Sequence, residues 1–160
     1  MSASPHELAA FVVLEAQLID EGRWDDWLAL FADDCRYWVP LAGAAQVEDT
    51  PYNALADEDR LLLALRVARL KNPRAHSQHP RSRCQHVLQQ PSIVQSDHAS
   101  GRHLLRTPFL YVESRGERTV TLAGTAHHRL VETGGALRIA QKRVDLIDAG
   151  LPLPAIQLFP

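Results

Sequence analysis

Residues 118–148, RTVTLAGTAHHRLVETGGALRIAQKRVDLID, constrain the fold of this chain more than any other stretch. They predict two long β-strands joined at Thr133-Gly134-Gly135, where glycine takes a positive φ at little steric cost. Thr119, Val120, Thr121, Val131, Ile139, Val144 and Ile147 supply the β-branched residues that strands favour. Val120, Leu122, Ala126 and Leu130 fall on one parity of the first strand. In the second, Ala140, Val144 and Leu146 share a face opposed by Gln141, Arg143 and Asp145. One dry and one wet face describe an antiparallel sheet covered on one side. Gly124, inside the first strand, predicts a bend or bulge and hence a curved sheet.

A helix is expected ahead of that sheet. Ser4 caps, Pro5 suits the first helical position and Glu7 completes a capping box. Leu8, Phe11, Val12, Glu15, Leu18 and Ile19 then form one apolar stripe with a single charge in it. Trp24, Trp27, Leu28 and Phe31 continue the helical spacing to Asp33-Asp34, so residues 1–34 are read as helices and the aromatics as core. Residues 35–40, CRYWVP, read as a short strand, and residues 41–56 show no period and read as a long loop. A third helix is placed at residues 57–70, capped by Asp57. Leu61, Leu62, Leu65 and Leu70 face inward there, and Arg60, Arg66 and Arg69 outward. Residues 84–148 hold the antiparallel sheet, with Pro91 marking an edge or bulge. Residues 149–160, proline-rich and apolar, form an extended tail. The whole chain, 1–160, reads as a single α+β domain.

Composition removes several classes of function. Lys+Arg 17 against Asp+Glu 19 gives a net charge of −2, which predicts neither a nucleic-acid nor an anionic-membrane partner. The apolar run at residues 8–14 is too short to span a bilayer and lacks a basic flank, which argues against a signal peptide. Two cysteines in a chain this long fit reduced thiols and a cytoplasmic location.

The search for chemistry returns little. No G-x-S-x-G, Walker or G-x-G-x-x-G element is present. His127 and His128 are adjacent on a strand and point to opposite faces, and His76 and His79 lie in a loop. Cys84-Gln85-His86 matches half of a Rieske ligand set. The other half would have to begin at Cys35, which is followed by Arg36-Tyr37-Trp38, so the set stays incomplete and Cys84 and His86 read as structural. Catalytic, cofactor-binding and metal residues are therefore expected to be none. The basic segment 71–83, with Lys71, Arg74, Arg81 and Arg83 and no acid, reads either as a solvated loop or as a docking surface. The apolar tail residues Leu151, Leu153, Ile156, Leu158 and Phe159 must be covered, either by their own domain or at a subunit contact, and a contact is preferred.

The succession LIDEGRWDDWLALFADDCRYWVPL (residues 18–41), DEDRLLLALRVARL (57–70), RSRCQH (81–86) and KRVDLIDAGLPLPAIQLF (142–159) resembles the small (β) subunit of aromatic-ring-hydroxylating dioxygenases, the multi-component Rieske non-haem iron oxygenases. The resemblance spans nearly the whole chain. It implies a cone-shaped, nuclear-transport-factor-like (cystatin-like) fold. It also implies a non-catalytic scaffold that trimerises and holds three large (α) subunits in an α3β3 assembly for aromatic compound degradation. The Rieske [2Fe-2S] cluster and the mononuclear iron would then belong to the α subunit, with no cofactor in this chain. Arg81, Arg83, His86, Leu153, Leu158 and Phe159 become candidate subunit contacts by the same implication. Gln85-His86 stands where the family often has Arg-His, which removes any contact needing that arginine. A different class stays open beside it. This is a free-standing cone-fold dehydratase or isomerase with an Asp/His general base, its pocket lined by Asp20, Tyr37, His86 and His128. A third reading is a small-molecule binding module without chemistry.

Overall fold

In the computed structural model of the chain, which describes residues 2–48 and 53–160, helix α1 (Pro5–Asp20) begins at the expected capping box. The Glu7 N–H donates to Ser4 Oγ at 3.3 Å and the Ser4 N–H to Glu7 Oε2 at 2.7 Å. Its buried positions Leu8, Val12, Glu15, Ala16 and Ile19 recur at helical spacing, which gives one face to pack. Helix α2 (Trp24–Ala29) stops earlier than the aromatic spacing suggests. Phe31, Asp33 and Asp34 belong instead to strand β1 (Phe31–Pro40), so the expected 1–34 helical region and 35–40 strand are corrected. β1 finds a sheet partner from Phe31 onward, and that pairing outweighs a helical period only three aromatics long.

The third helix is corrected as well. Ala54–Glu58 form strand β2, and α3 spans Arg60–Lys71 with Asp59, not Asp57, as its cap, accepting from the Leu62 N–H at 2.9 Å. Of the loop expected at residues 41–56, positions 49–52 lie outside the described residues, and a 3-10 turn occupies Gly43–Ala45. The start at Arg60 turns the helix so that Leu63 and Val67 are buried, whereas Leu61, Leu62 and Leu65 are 68%, 47% and 59% exposed. Arg60 and Arg66, expected outside, reach inward. Arg60 Nη1 donates to the Leu28 and Phe31 carbonyls at 2.9 and 2.7 Å, and Arg66 Nη2 to the Leu158 carbonyl at 2.7 Å. Long basic side chains lay their stems on apolar surface while satisfying carbonyls that the helix and tail leave open.

Five further strands complete one open, curved sheet: β3 (Arg83–Leu88), β4 (Ser92–Asp97), β5 (Arg102–Arg115), β6 (Arg118–Thr133) and β7 (Ala136–Leu146). The order is β2-β1-β7-β6-β5-β3, with β4 also on β5. β3 and β4 share one edge of β5 and are parted at residues 89–91, where Pro91 falls, as its missing N–H requires. All pairings are antiparallel except β1 with β7, which is parallel, so the sheet extends beyond residues 84–148 and is mixed at that one seam. The β6–β7 hairpin turns at Gly134 and Gly135, at φ 60° and 79°. Leu122, Ala126 and Leu130 point inward as the alternation predicts. The bulge falls not at Gly124 but between Arg129 and Leu130, opposite Ala140. That extra residue shifts the parity of β7, so Ile139 rather than Ala140 is fully buried alongside Val144 and Leu146.

The helices pack on this curved sheet, α1 against β3 and α3 against β1. Among the described residues no helix is long and apolar enough to cross a membrane. Gly124 serves close approach: a Cβ there would lie 2.5 Å from the Asp145 carbonyl oxygen and 3.2 Å from Phe109 Cζ. Gly124→Ala is expected to cost about 1–3 kcal/mol through overpacking against backbone, a melting-temperature drop of roughly 2–12 °C for a domain of this size. Calorimetry checks it, and an unchanged transition would mean that the strands part without cost.

Candidate functional site

The inside of the cone is polar around Glu15 and His128, where little free volume is left. Glu15, from the buried stripe of α1, is 1% exposed and accepts four contacts. Trp27 Nε1 lies at 2.7 Å, Lys142 Nζ at 3.0 and 3.1 Å from its two oxygens, and His128 Nε2 at 3.4 Å. Burial alone raises the Glu15 pKa, but the Lys142 ammonium, with His128 and Trp27 behind it, outweighs that and holds it well below the ordinary carboxylate range. Burial keeps the His128 pKa below normal. The residual space that Glu15, His86, Thr107, His128 and Lys142 surround is about 10 Å³, room for one water and far below the ~300–1,000 Å³ of a ligand pocket.

Of the four residues expected around a catalytic base, Asp20 and His86 do meet, with His86 Nδ1 2.6 Å from Asp20 Oδ1. The His86 backbone N–H donates to the other oxygen at 2.9 Å. Tyr37 and His128 are elsewhere. The Tyr37 hydroxyl donates to the Pro160 carbonyl at 3.1 Å, and His128 belongs to the Glu15 cluster. His127, half-buried, faces away from His128, as adjacent strand positions must. Side chains fill the cone around Glu15 and His128, which gives a dehydratase or isomerase less support, and the Asp20–His86 pair borders the groove between α1 and β3 instead.

Iron–sulfur ligation does not fit either. Cys35 is buried on β1, and among the described residues one group of potential ligands gathers within 4.8 Å, namely Asp20, Cys84 and His86. One thiol and one imidazole are half of what a Rieske cluster requires.

The candidate contact residues divide by burial. Arg81 and Arg83 are exposed and line a groove of about 650 Å³ with Trp24, Cys84 and Leu158. Leu153 is partly buried against the core. His86 is 9% exposed, Leu158 3% and Phe159 0%. Of the two coverings open to the tail, Leu158 and Phe159 have the first, because the tail folds back into its own domain. Phe159 stacks on Trp27 with centroids 4.2 Å apart, and Tyr37 and the Arg66 guanidinium lie 5.6 and 4.1 Å from its ring. Glu113 fastens the tail by accepting the Gln157 and Leu158 N–H groups at 3.0 and 2.8 Å.

Sequence reasoning passed over Glu113, Thr107 and Lys142. Lys142 carried a signal: it falls between Ala140 and Val144 on a strand otherwise apolar at that parity. It passed over exposed apolar surface too. Besides the α3 leucines, Val87 and Leu110 stand opposite each other on the outer face of β3 and β5, 57% and 49% exposed.

Comparison with known proteins adds to this geometry. The profile of the ring hydroxylating β subunit matches residues 14–152. The small oxygenase component of the p-cumate 2,3-dioxygenase system of Pseudomonas putida is 32% identical over 156 residues, covering 88% of this chain and 82% of that one. The β subunit of benzoate 1,2-dioxygenase from Burkholderia mallei superposes with a TM-score of 0.74 at 23% identity, over 92% and 93% of the two chains. An NTF2-like protein with a cystatin-like fold from Novosphingobium aromaticivorans gives 0.61 at 13% identity, over 89% and 81%. These last two show the shared cone fold.

Proposed function

Since this chain belongs to the ring-hydroxylating β-subunit family, we propose that it is the small subunit of an aromatic-ring-hydroxylating dioxygenase and acts as a scaffold for iron-bearing large subunits. The observation that carries the reading is the family match over residues 14–152, and the side-chain-filled space around Glu15 and His128 agrees with it. In this reading three copies associate and hold three large subunits in an α3β3 hetero-hexamer in the cytoplasm. The Rieske cluster and mononuclear iron sit in the large subunits. The exposed Arg81 and Arg83, the half-buried Leu153, the α3 leucines and the Val87–Leu110 pair are among the residues available for contact. Large apolar side chains left in water at those positions favour burial against another chain.

Coexpression with a large subunit that bears the full Rieske ligand set tests this. The two chains are expected to co-purify as one species whose mass, by light scattering, is three of each. A well-folded small chain that never co-purifies with such a partner would overturn the proposal.

A further inference from the structure

We infer that Asp20, Cys84 and His86 form a site for a divalent transition metal of the zinc class, on this chain itself and separate from any iron of a large subunit. The three side chains come from two elements. Cys84 and His86 alternate on β3 and so project from the same face of the strand, and Asp20 ends α1 directly above them. Their ligand atoms all lie within 4.8 Å of one another, with Cys84 Sγ 3.6 Å from Asp20 Oδ1. Sulfur, nitrogen and oxygen ligands at zinc bond lengths stand about 3.3–3.6 Å apart at the corners of a tetrahedron. The Cys84–Asp20 pair already has that spacing, and the 2.6 Å His86–Asp20 hydrogen bond must open to admit the ion. Thiolate, imidazole and carboxylate together suit zinc and cobalt(II), and discriminate against magnesium and calcium.

The surroundings suit a three-ligand site with an open fourth position. The Asp20 and His86 side chains are 13% and 3% exposed, so the ligands are largely shielded. Asp20, Gln85 and His86 nevertheless border a groove of about 930 Å³ between α1 and β3, through which a cation and a water can enter. Gln85 Nε2 and the His86 N–H already bond to Asp20 Oδ2 at 3.2 and 2.9 Å, which orients the carboxylate. The His86 ring is held edge-on to Tyr111, centroids 4.9 Å apart. Its buried Nε2 has no protein partner, and neither has the buried hydroxyl of Thr107, which borders the same small interior space. A metal on Nδ1 places the imidazole proton on Nε2, facing that space, where one water can accept it as the outer partner of a metal-bound histidine.

Without a cation, burial and then the charge of Asp20 push the Cys84 thiol up to about 12. Binding a divalent ion reverses that balance: the thiol proton leaves to solvent, the sulfur enters as thiolate, and the carboxylate–thiolate pair is neutralised by the ion.

Cobalt(II) titration of the full chain tests the site. One equivalent is expected to produce a thiolate-to-cobalt charge-transfer band, and zinc added afterwards is expected to remove it. The band should vanish in Cys84→Ser and persist in Cys35→Ser. His86→Asn and Asp20→Asn should weaken zinc binding by at least about tenfold, the loss seen for even an outer partner of a metal ligand. Because a variant at β3 can fold poorly, the wild-type chain supplies a second readout. Excess zinc is expected to slow alkylation of Cys84, read by mass spectrometry, while leaving Cys35 unaffected. No sulfur band, a band that survives Cys84→Ser, or alkylation of Cys84 at the same rate with and without zinc would each overturn the site. Co-purification with a large subunit is an independent measurement, so failure here leaves the scaffold reading standing.

Discussion

Replacing Glu15 by alanine is expected to cost about 3–5 kcal/mol of folding free energy, the range for breaking a buried ion pair by removing one partner. The cost is carried by what stays behind. Lys142 is 2% exposed and would keep an ammonium in the core with no counter-charge, and Trp27 Nε1 would lose its acceptor at 2.7 Å. Urea titration reads the loss directly. The double variant Glu15→Leu, Lys142→Met is expected to recover most of it, since a buried pair exchanged for apolar side chains of similar size is often neutral or stabilising. A double variant as unstable as the single one would mean that the pair does not act as a unit.

The same cluster contributes to the loss of stability in acid. The Glu15 pKa is depressed in the folded chain, so its contribution is complete above the unfolded value near 4.5 and is lost as pH falls below that toward the folded pKa. His128, also depressed, adds in the same direction from a higher pH. Unfolded histidine takes up its proton around 6.5 and the buried one does not, so stability declines as pH drops through that value. The Glu15→Leu, Lys142→Met chain is therefore expected to lose the decline below pH 4.5 that Glu15 causes and to keep the one near 6.5.

These residues also mark what the sequence discloses and what it hides. The hairpin over residues 118–148, the capping box at Ser4 and the edge position of Pro91 are local matters, set by turn chemistry and alternation, and they were legible. Glu15 was visible as one charge in an apolar stripe and Lys142 as one charge on an apolar strand parity. That the two meet depends on how α1 lies over β7, which no local pattern encodes. The α3 leucines misled for a related reason. Periodicity reports that a helix has an apolar face, but Arg60 and Arg66 were needed inside to satisfy the carbonyls of Leu28, Phe31 and Leu158. The parity of β7 failed at a one-residue bulge opposite Ala140, since a single insertion exchanges the two faces of a strand.

Phe159→Ala is expected to destabilise the isolated chain by about 3–5 kcal/mol, as removal of a fully buried phenyl ring does when the cavity cannot collapse. The ring is 0% exposed, and Trp24, Trp27, Tyr37 and Arg66 are fixed around it by elements on three sides, so collapse is hindered. For a chain of 160 residues this corresponds to a melting temperature lower by roughly 6–20 °C. The tail is also tied by polar contacts, to Glu113 through two N–H groups and to Arg66 and Tyr37 through carbonyls. Removing the ring therefore loosens a strap and does not merely hollow the core, and faster proteolysis of residues beyond 149 is expected alongside the thermal shift. A tail whose purpose is to meet another subunit predicts the opposite pattern: an unchanged melting temperature for the chain alone, and weakened assembly with the large subunit. The two measurements on one variant separate packing within the domain from contact between chains, and the observed burial of Phe159 requires the first.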